Sequence, residues 1–239
     1  MSSACDAPVK RLRACGHDAH RPPWRRWAPV LLALLLAGCA GTPPSSLQAL
    51  SDAPDPARPR AAAEPGPASY QEALARWTSP QDIGRWLGAR FEYDHGRALA
   101  LSETARQAGQ RTPVHAPEAF FADPTGVCVD LTHFAVSTLR RIAPQARAQY
   151  LMIEFEPLQI GGHTLRRHWI AGYGHAGALW FFADSKRPAH VAGPYTTVEQ
   201  FVREYAEYRQ RPIVRWRLAD SHERQLRQRA PRAQRDERG

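Results

Sequence analysis

A ten-residue run without a charge, Ala28 to Ala37 (APVLLALLLA), divides the 239-residue chain into parts that cannot share one core. Six basic side chains (Lys10, Arg11, Arg13, Arg21, Arg25 and Arg26) and two acids, Asp6 and Asp18, precede it. Ten apolar residues are too few to cross ~30 Å of hydrocarbon as a helix. A basic stretch before a short apolar run is instead the layout of an export signal, expected over residues 1–38. Residues 40–67 then hold seven prolines and no hydrophobic period, which reads as an extended tether running from Cys39. At the other end, residues 219–239 carry six Arg, four acids and a single Leu, the composition of a charged, disordered tail. Folding therefore falls to residues 68–218, enough chain to bury a core without disulfide staples.

The run ends in Leu36-Ala37-Gly38-Cys39, which resembles the lipobox of bacterial lipoproteins. The resemblance implies cleavage before Cys39, lipid on its thiol and acylation of the new amino terminus. The implied partner is a bacterial membrane, and the implied location is the cell envelope. Ala40 in place of Asp further implies the outer membrane, facing the periplasm. Several acyl chains make such an anchor stable where one alone is marginal. Removing the leader lowers the net charge from +9 to +5, with 26 basic residues against 21 acidic. No zinc-finger spacing, RNA-binding aromatic motif or helix-turn-helix pattern accompanies this charge, so nucleic acid is not an expected partner.

Within 68–218 the periodicities predict helices first and an antiparallel sheet after them, an α+β order. Tyr70 to Trp77 reads as a short amphipathic helix. A second runs from Ile83 through the 90–93 region, and residues 98–109 form a further short helix or a loop. The clearest helix spans Cys128 to Ile142, with Leu131, Phe134, Ala135, Thr138, Leu139 and Ile142 on one side and Pro144 as its stop. Strands are predicted at Tyr150–Phe155, Arg167–Tyr173, Leu179–Ala183 and Ile213–Leu218, with a helix at Thr197–Tyr208. Gly174-His175-Ala176-Gly177 is turn-like.

Cysteine usage sharpens the chemistry. Cys5 and Cys15 leave with the leader and Cys39 is taken by lipid, so Cys128 remains alone in an exported chain. Compartments that oxidise thiols favour paired cysteines or none. A small buried core residue is one reading. The other is a nucleophile, because Cys128 follows Thr125-Gly126 and opens a helix. There the dipole and free N–H groups favour a thiolate and can receive an oxyanion. A thiolate needs a base, and the base an orienter. His133, five residues on, is turned ~500° around the helix and faces elsewhere. His168 starts one hairpin strand and Asp184 ends the next. With the turn centred on Ala176 the two become direct cross-strand neighbours, ~5 Å apart at Cβ.

Gly126-Val127-Cys128-Val129-Asp130 before a helix, then His168-Trp169, then Leu179-Trp180-Phe181-Phe182-Ala183-Asp184, resembles the transglutaminase-like cysteine hydrolase superfamily. Ile83 to Asp94 (IGRWLGARFEYD) resembles the family's upstream helix and aromatic-Tyr segment. The resemblance covers roughly residues 80 to 190. It implies a papain-like α+β fold with the cysteine helix packed on the sheet. It also implies Cys128 as nucleophile, His168 as base and then acid, and Asp184 as orienter. Tyr93 is an oxyanion donor by the same resemblance, beside the backbone N–H of Cys128. Asp130 points away from position 128 and reads as structural. The implied reaction is acyl transfer on amide bonds of a protein or peptidoglycan peptide, with water as the default acceptor.

Three rivals compete with that reading. NlpC/P60 cell-wall peptidases also run Cys then His, but usually place Asp just before the Cys, where this chain has Val127. A zinc hydrolase built on His163, His168, His175 and Asp184 lacks any short zinc signature. A catalytically silent envelope binding module would keep the fold with a blocked cleft. No metal and no organic cofactor is expected. The lipobox reading predicts that the wild-type chain partitions with membranes after cell fractionation, and that Cys39→Ser moves it to the soluble fraction.

Overall fold

The computed structural model describes residues 51–55 and 66–223. The apolar run at 28–37 and Cys39 lie outside those residues, as does most of the stretch read as a tether. No helix among the described residues is long and apolar enough to cross a membrane.

The helical half comes first in the chain. α1 (Tyr70–Arg76) starts at Ser69, whose Oγ accepts the Glu72 N–H. α2 (Pro80–Arg90) starts with a capping box: Ser79 Oγ accepts the Asp82 N–H, and Asp82 Oδ2 accepts the Ser79 N–H. Pro80 fits the first helical position, where its missing N–H has no partner to lose. The second helix was expected to continue through residue 93 but stops at Arg90. Phe91 turns into the core, and β1 (Glu92–Tyr93) pairs in parallel with β2 (Thr125–Gly126). Residues 98–109 resolve into two short helices, α3 (His95–Ala100) and α4 (Glu103–Gln107). α5 (Pro117–Ala122) precedes β2, and α6 (Cys128–Ile142) follows it.

The second half is a five-stranded antiparallel sheet in the order β6-β5-β4-β3-β7. Its strands are β3 (Gln149–Ile160), β4 (His163–His175), β5 (Ala178–Phe182), β6 (Ala192–Tyr195) and β7 (Ile213–Ala219). α7 (Val198–Arg209) connects β6 to β7. β3 and β4 run well beyond the predicted cores of their strands, because each lengthens the other across the register Ile160↔His163 to Gln149↔Gly172.

Both faces of this sheet are covered. Tyr150, Met152, Trp169, Ala171, Tyr173 and Phe182 pack with Leu131, Phe134 and Leu139 of α6 and with α1 and α2. The alternate residues Leu151, Ile153, Phe155, Ile170 and Phe181 pack with Phe201, Val202 and Tyr205 of α7. That is why Tyr150 to Phe155 reads as an unbroken buried run and not as buried-exposed alternation. The charged C-terminal segment is part of the domain as far as it is described. β7 reaches Ala219, and His222 packs against His133 at 4.7 Å and Tyr150 at 5.8 Å between ring centroids.

Phe134 is the hub of the helical core. It is fully buried, and the rings of Tyr70, Trp77, Trp86, Phe120 and Phe121 all lie within 6.5 Å of it. Trp86 stacks on Phe121 at 4.8 Å and, like Trp169, is committed to packing. Phe134→Ala should lower the unfolding free energy by ~3–5 kcal/mol, measured by urea denaturation.

Candidate active site

Cys128 occupies the first position of α6, and an ion cluster fixes the turn before it. The Asp130 carboxylate accepts the Val127 N–H at 3.1 Å and the His115 N–H at 2.9 Å. Arg97 grips the same carboxylate twice, Nε on Oδ2 and Nη2 on Oδ1, each at 2.7 Å. Burial opposes this carboxylate, but Arg97 and the two N–H groups outweigh it and hold its pKa below the usual range. Gly126 is needed here, because a Cβ on it would come within 3.0 Å of both Cβ and Oδ2 of Asp130. Asp130 is thus structural, as its helical position suggests, and it sets the angle at which Cys128 enters the helix.

β1 brings Tyr93 to the same place. Tyr93 pairs with Gly126, and the Asp94 N–H bonds the Gly126 carbonyl at 2.8 Å. Burial, then the negative charge of Asp52 and Cys128, pushes the Tyr93 phenol well above its ordinary pKa. Its hydroxyl stays a hydrogen-bond donor at neutral pH.

His168 and Asp184 meet, but not through the predicted register. β4 and β5 pair Gly174 with Leu179 and His175 with Ala178, one residue away from a turn centred on Ala176. The turn is the two-residue pair Ala176-Gly177, both at positive φ (52° and 77°), which suits the twist of the flanking strands. β5 ends at Phe182, and Ala183 takes a left-handed φ of 55°. That reversal swings Asp184 across the free edge of β4, whose pairing with β5 begins only at Ala171. His168 Nε2 then lies 3.0 Å from Asp184 Oδ1. Backbone reversal after the strand, not cross-strand pairing, makes the contact.

Three further side chains complete the surroundings of the imidazole. Tyr205 of α7 stacks on the His168 ring at 5.9 Å and places its hydroxyl 3.0 Å from Nε2. That hydroxyl donates to Asp184 Oδ1 at 3.0 Å and accepts from Arg209 Nη1 at 3.0 Å. Asp52 approaches from the stretch read as a tether. Its Oδ1 lies 3.4 Å from His168 Nδ1 and 2.7 Å from Arg209 Nη2. Backbone carbonyls hold this segment too: Ser185 Oγ donates to Asp52 O at 2.8 Å, and Arg209 Nη2 to Ser51 O at 3.2 Å. The Cys128 sulfur, a His168 ring nitrogen and an Asp52 oxygen all lie within 4.8 Å of one another. Asp184 and Tyr205 take Nε2, and Asp52 faces Nδ1.

Among the residues expected at the site, Cys128, His168 and Asp184 come together, and Tyr93 joins the turn before Cys128 through its backbone pairing with Gly126. The sequence reading missed Asp52, Tyr205 and Arg209. Tyr205 and Arg209 are spaced four apart on an amphipathic helix, a signal that places a polar pair on one face but names no partner. Asp52 had no local signal at all. His133 bonds the Tyr150 hydroxyl at 2.8 Å, away from the sulfur as its helical angle predicts. The open groove of about 480 Å³ at the β4–β5 hairpin is lined by residues such as Tyr173, His175 and Leu179 and contains none of the site side chains.

Burial disfavours a charged His168, but Tyr205, Asp52 and Asp184 outweigh it and raise its pKa well above the ordinary histidine value. Both carboxylates are held far below theirs against the same burial, by His168 and Arg209. No family model, curated protein or solved structure matches the chain.

A raised histidine pKa stabilises the fold fully below the unfolded-state value of ~6.5, and the benefit is lost as pH rises through the folded-state value. Thermal or urea unfolding should therefore show stability falling above about pH 6.5, by at most ~1.4 kcal/mol per pH unit. Asp52→Asn should make that slope shallower, and His168→Gln should remove it. The two carboxylates act in the opposite sense: their contribution is held above ~3.9 and lost as pH falls further.

Proposed function

We propose that the chain catalyses cysteine-dependent acyl transfer on amide bonds, with water as the acceptor and a peptide or isopeptide as the substrate. One observation carries this reading. His168 has Nε2 clamped by Asp184 and Tyr205, and a nitrogen of the same ring lies within 4.8 Å of the sulfur of the first residue of α6. The α+β order, with the cysteine helix packed on an antiparallel sheet, supports a papain- or transglutaminase-like architecture. The lipobox supports placing the enzyme in the bacterial envelope through lipid on Cys39, at the outer membrane facing the periplasm.

In this mechanism the Cys128 thiolate attacks the amide carbon and a C–S bond forms. The oxyanion is received by the Cys128 N–H at the helix start and by the Tyr93 hydroxyl. His168 gives its Nδ1 proton to the leaving nitrogen, the C–N bond breaks and a thioester remains. Water then attacks the thioester while His168 takes its proton, releasing the carboxylic acid and restoring the thiolate. Asp184 and Tyr205 keep the other imidazole nitrogen protonated, which fixes the tautomer. No metal or organic cofactor enters these steps.

One observation favours a second reading, a silent binding module. Asp52 sits beside Nδ1 and within 4.8 Å of the sulfur, so its carboxylate already occupies space next to the candidate nucleophile. Iodoacetamide labelling of the chelator-treated full-length chain in detergent separates the two, with Cys128 followed by mass spectrometry. The hydrolase reading expects labelling at least ten-fold faster than in His168→Gln, and slowed in Asp184→Asn. Labelling at equal rates in all three would exclude an activated pair and leave the binding module.

A further inference from the structure

The segment that reaches the site from before the domain brings a third kind of donor atom to the sulfur and the imidazole. Asp52 offers a hard carboxylate oxygen, His168 a borderline nitrogen and Cys128 a soft sulfur, mutually within 4.8 Å. We propose that Cys128, His168 and Asp52 form a binding site for a zinc-class divalent cation, with the fourth tetrahedral position left to water or substrate.

The spacing fits. Zinc bonds to nitrogen and oxygen are ~2.0–2.2 Å long, so tetrahedral angles set those two ligand atoms about 3.4 Å apart. His168 Nδ1 and Asp52 Oδ1 are 3.4 Å apart. A zinc–sulfur bond of ~2.3 Å asks the sulfur to stand slightly farther off, about 3.6 Å from each. The sulfur stands within 4.8 Å of both, so Cys128 meets this by closing at most about 1.2 Å.

The surroundings fit as well. His168 is fully buried, and its Nδ1, 3.4 Å from Asp52 Oδ1, has no aligned hydrogen-bond partner. Its Nε2 is held on the Asp184 carboxylate at 3.0 Å, the outer contact that orients metal-binding histidines and strengthens them as ligands. Arg209 in turn holds the Asp52 carboxylate at 2.7 Å, as ligating carboxylates are commonly held. Loading exchanges the Nδ1 proton and a thiol proton for the dication, so the loaded site carries the same net charge as the metal-free site with a neutral thiol. Loading expels the Nδ1 proton and any proton on the sulfur to solvent, so affinity rises with pH. The cation takes the sulfur lone pair and Nδ1 together and ties residues 51–55 down onto the cleft. The loaded state is therefore closed to acyl transfer, and chelation reopens it.

The test is a Co²⁺ titration of the metal-free, reduced full-length chain in detergent, read by absorption. The expected result is one equivalent bound, giving a thiolate-to-cobalt charge-transfer band and visible bands of tetrahedral intensity, both displaced by Zn²⁺. Cys128→Ser should remove the charge-transfer band. Asp52→Asn should weaken binding at least ten-fold, and so should Asp184→Asn. One equivalent of Zn²⁺ should slow Cys128 alkylation at least ten-fold, with recovery on adding EDTA. Absence of the band would overturn the site, as would a band that survives in Cys128→Ser or affinity within two-fold of wild type in Asp52→Asn. Fast, His168-dependent alkylation without any cobalt spectrum would remove the metal site and leave the hydrolase reading standing. A cobalt spectrum with His168-independent alkylation would do the reverse.

Discussion

A buried imidazole flanked by two carboxylates and a guanidinium organises the C-terminal half of this domain. His168, Asp184, Asp52 and Arg209 are removed from most or all solvent, and each is tolerable there only because the others are present. Losing one member leaves an uncompensated charge, which typically costs ~3–5 kcal/mol, far more than an exposed pair is worth. The cluster also joins four pieces of chain: β4, the turn after β5, the last two turns of α7 and the segment at 51–55. Its contacts from four directions fix the orientation of the His168 ring.

A second buried ion pair does the corresponding work for the sulfur. Arg97 on α3 and Asp130 on α6 pin the turn through the Val127 N–H, and Gly126 leaves room for the carboxylate. They decide the entry angle of α6, and with it the position of Cys128 relative to His168. One cluster fixes the turn before the sulfur and the other holds the imidazole. The proposed chemistry depends on the gap between them.

Occupation of that gap by Asp52 changes how the stretch before the domain is understood. A proline-rich segment with no hydrophobic period has nothing to bury, so composition alone makes it a spacer. Residues 51–55 dock by other means: a carboxylate on Arg209, and two backbone carbonyls held by Ser185 and Arg209. Such contacts leave no periodic trace. A truncation at residue 68, natural for a chain read as tether and domain, would remove one of the groups that set the charge state of His168.

The sequence alone determined the order of helices before strands, the extent of α6, the place of Cys128 at its start and the pairing of His168 with Asp184 as candidates. These rest on hydrophobic period, stop signals and residue chemistry, all local properties. Resemblance to a cysteine hydrolase family added roles for those residues and suggested Tyr93, whose place beside Gly126 depends on a parallel pairing across 33 residues of chain. Tertiary structure decided the rest. The β4–β5 register slips by one residue because a two-residue turn fits strand twist better, and Asp184 is rescued by the left-handed backbone at Ala183. The second face of the sheet is buried because α7 returns across it, which local alternation in β3 could not reveal. Asp52 arrives at the site from 116 positions before His168, held by charge and hydrogen bonds and not by any pattern written in its neighbours.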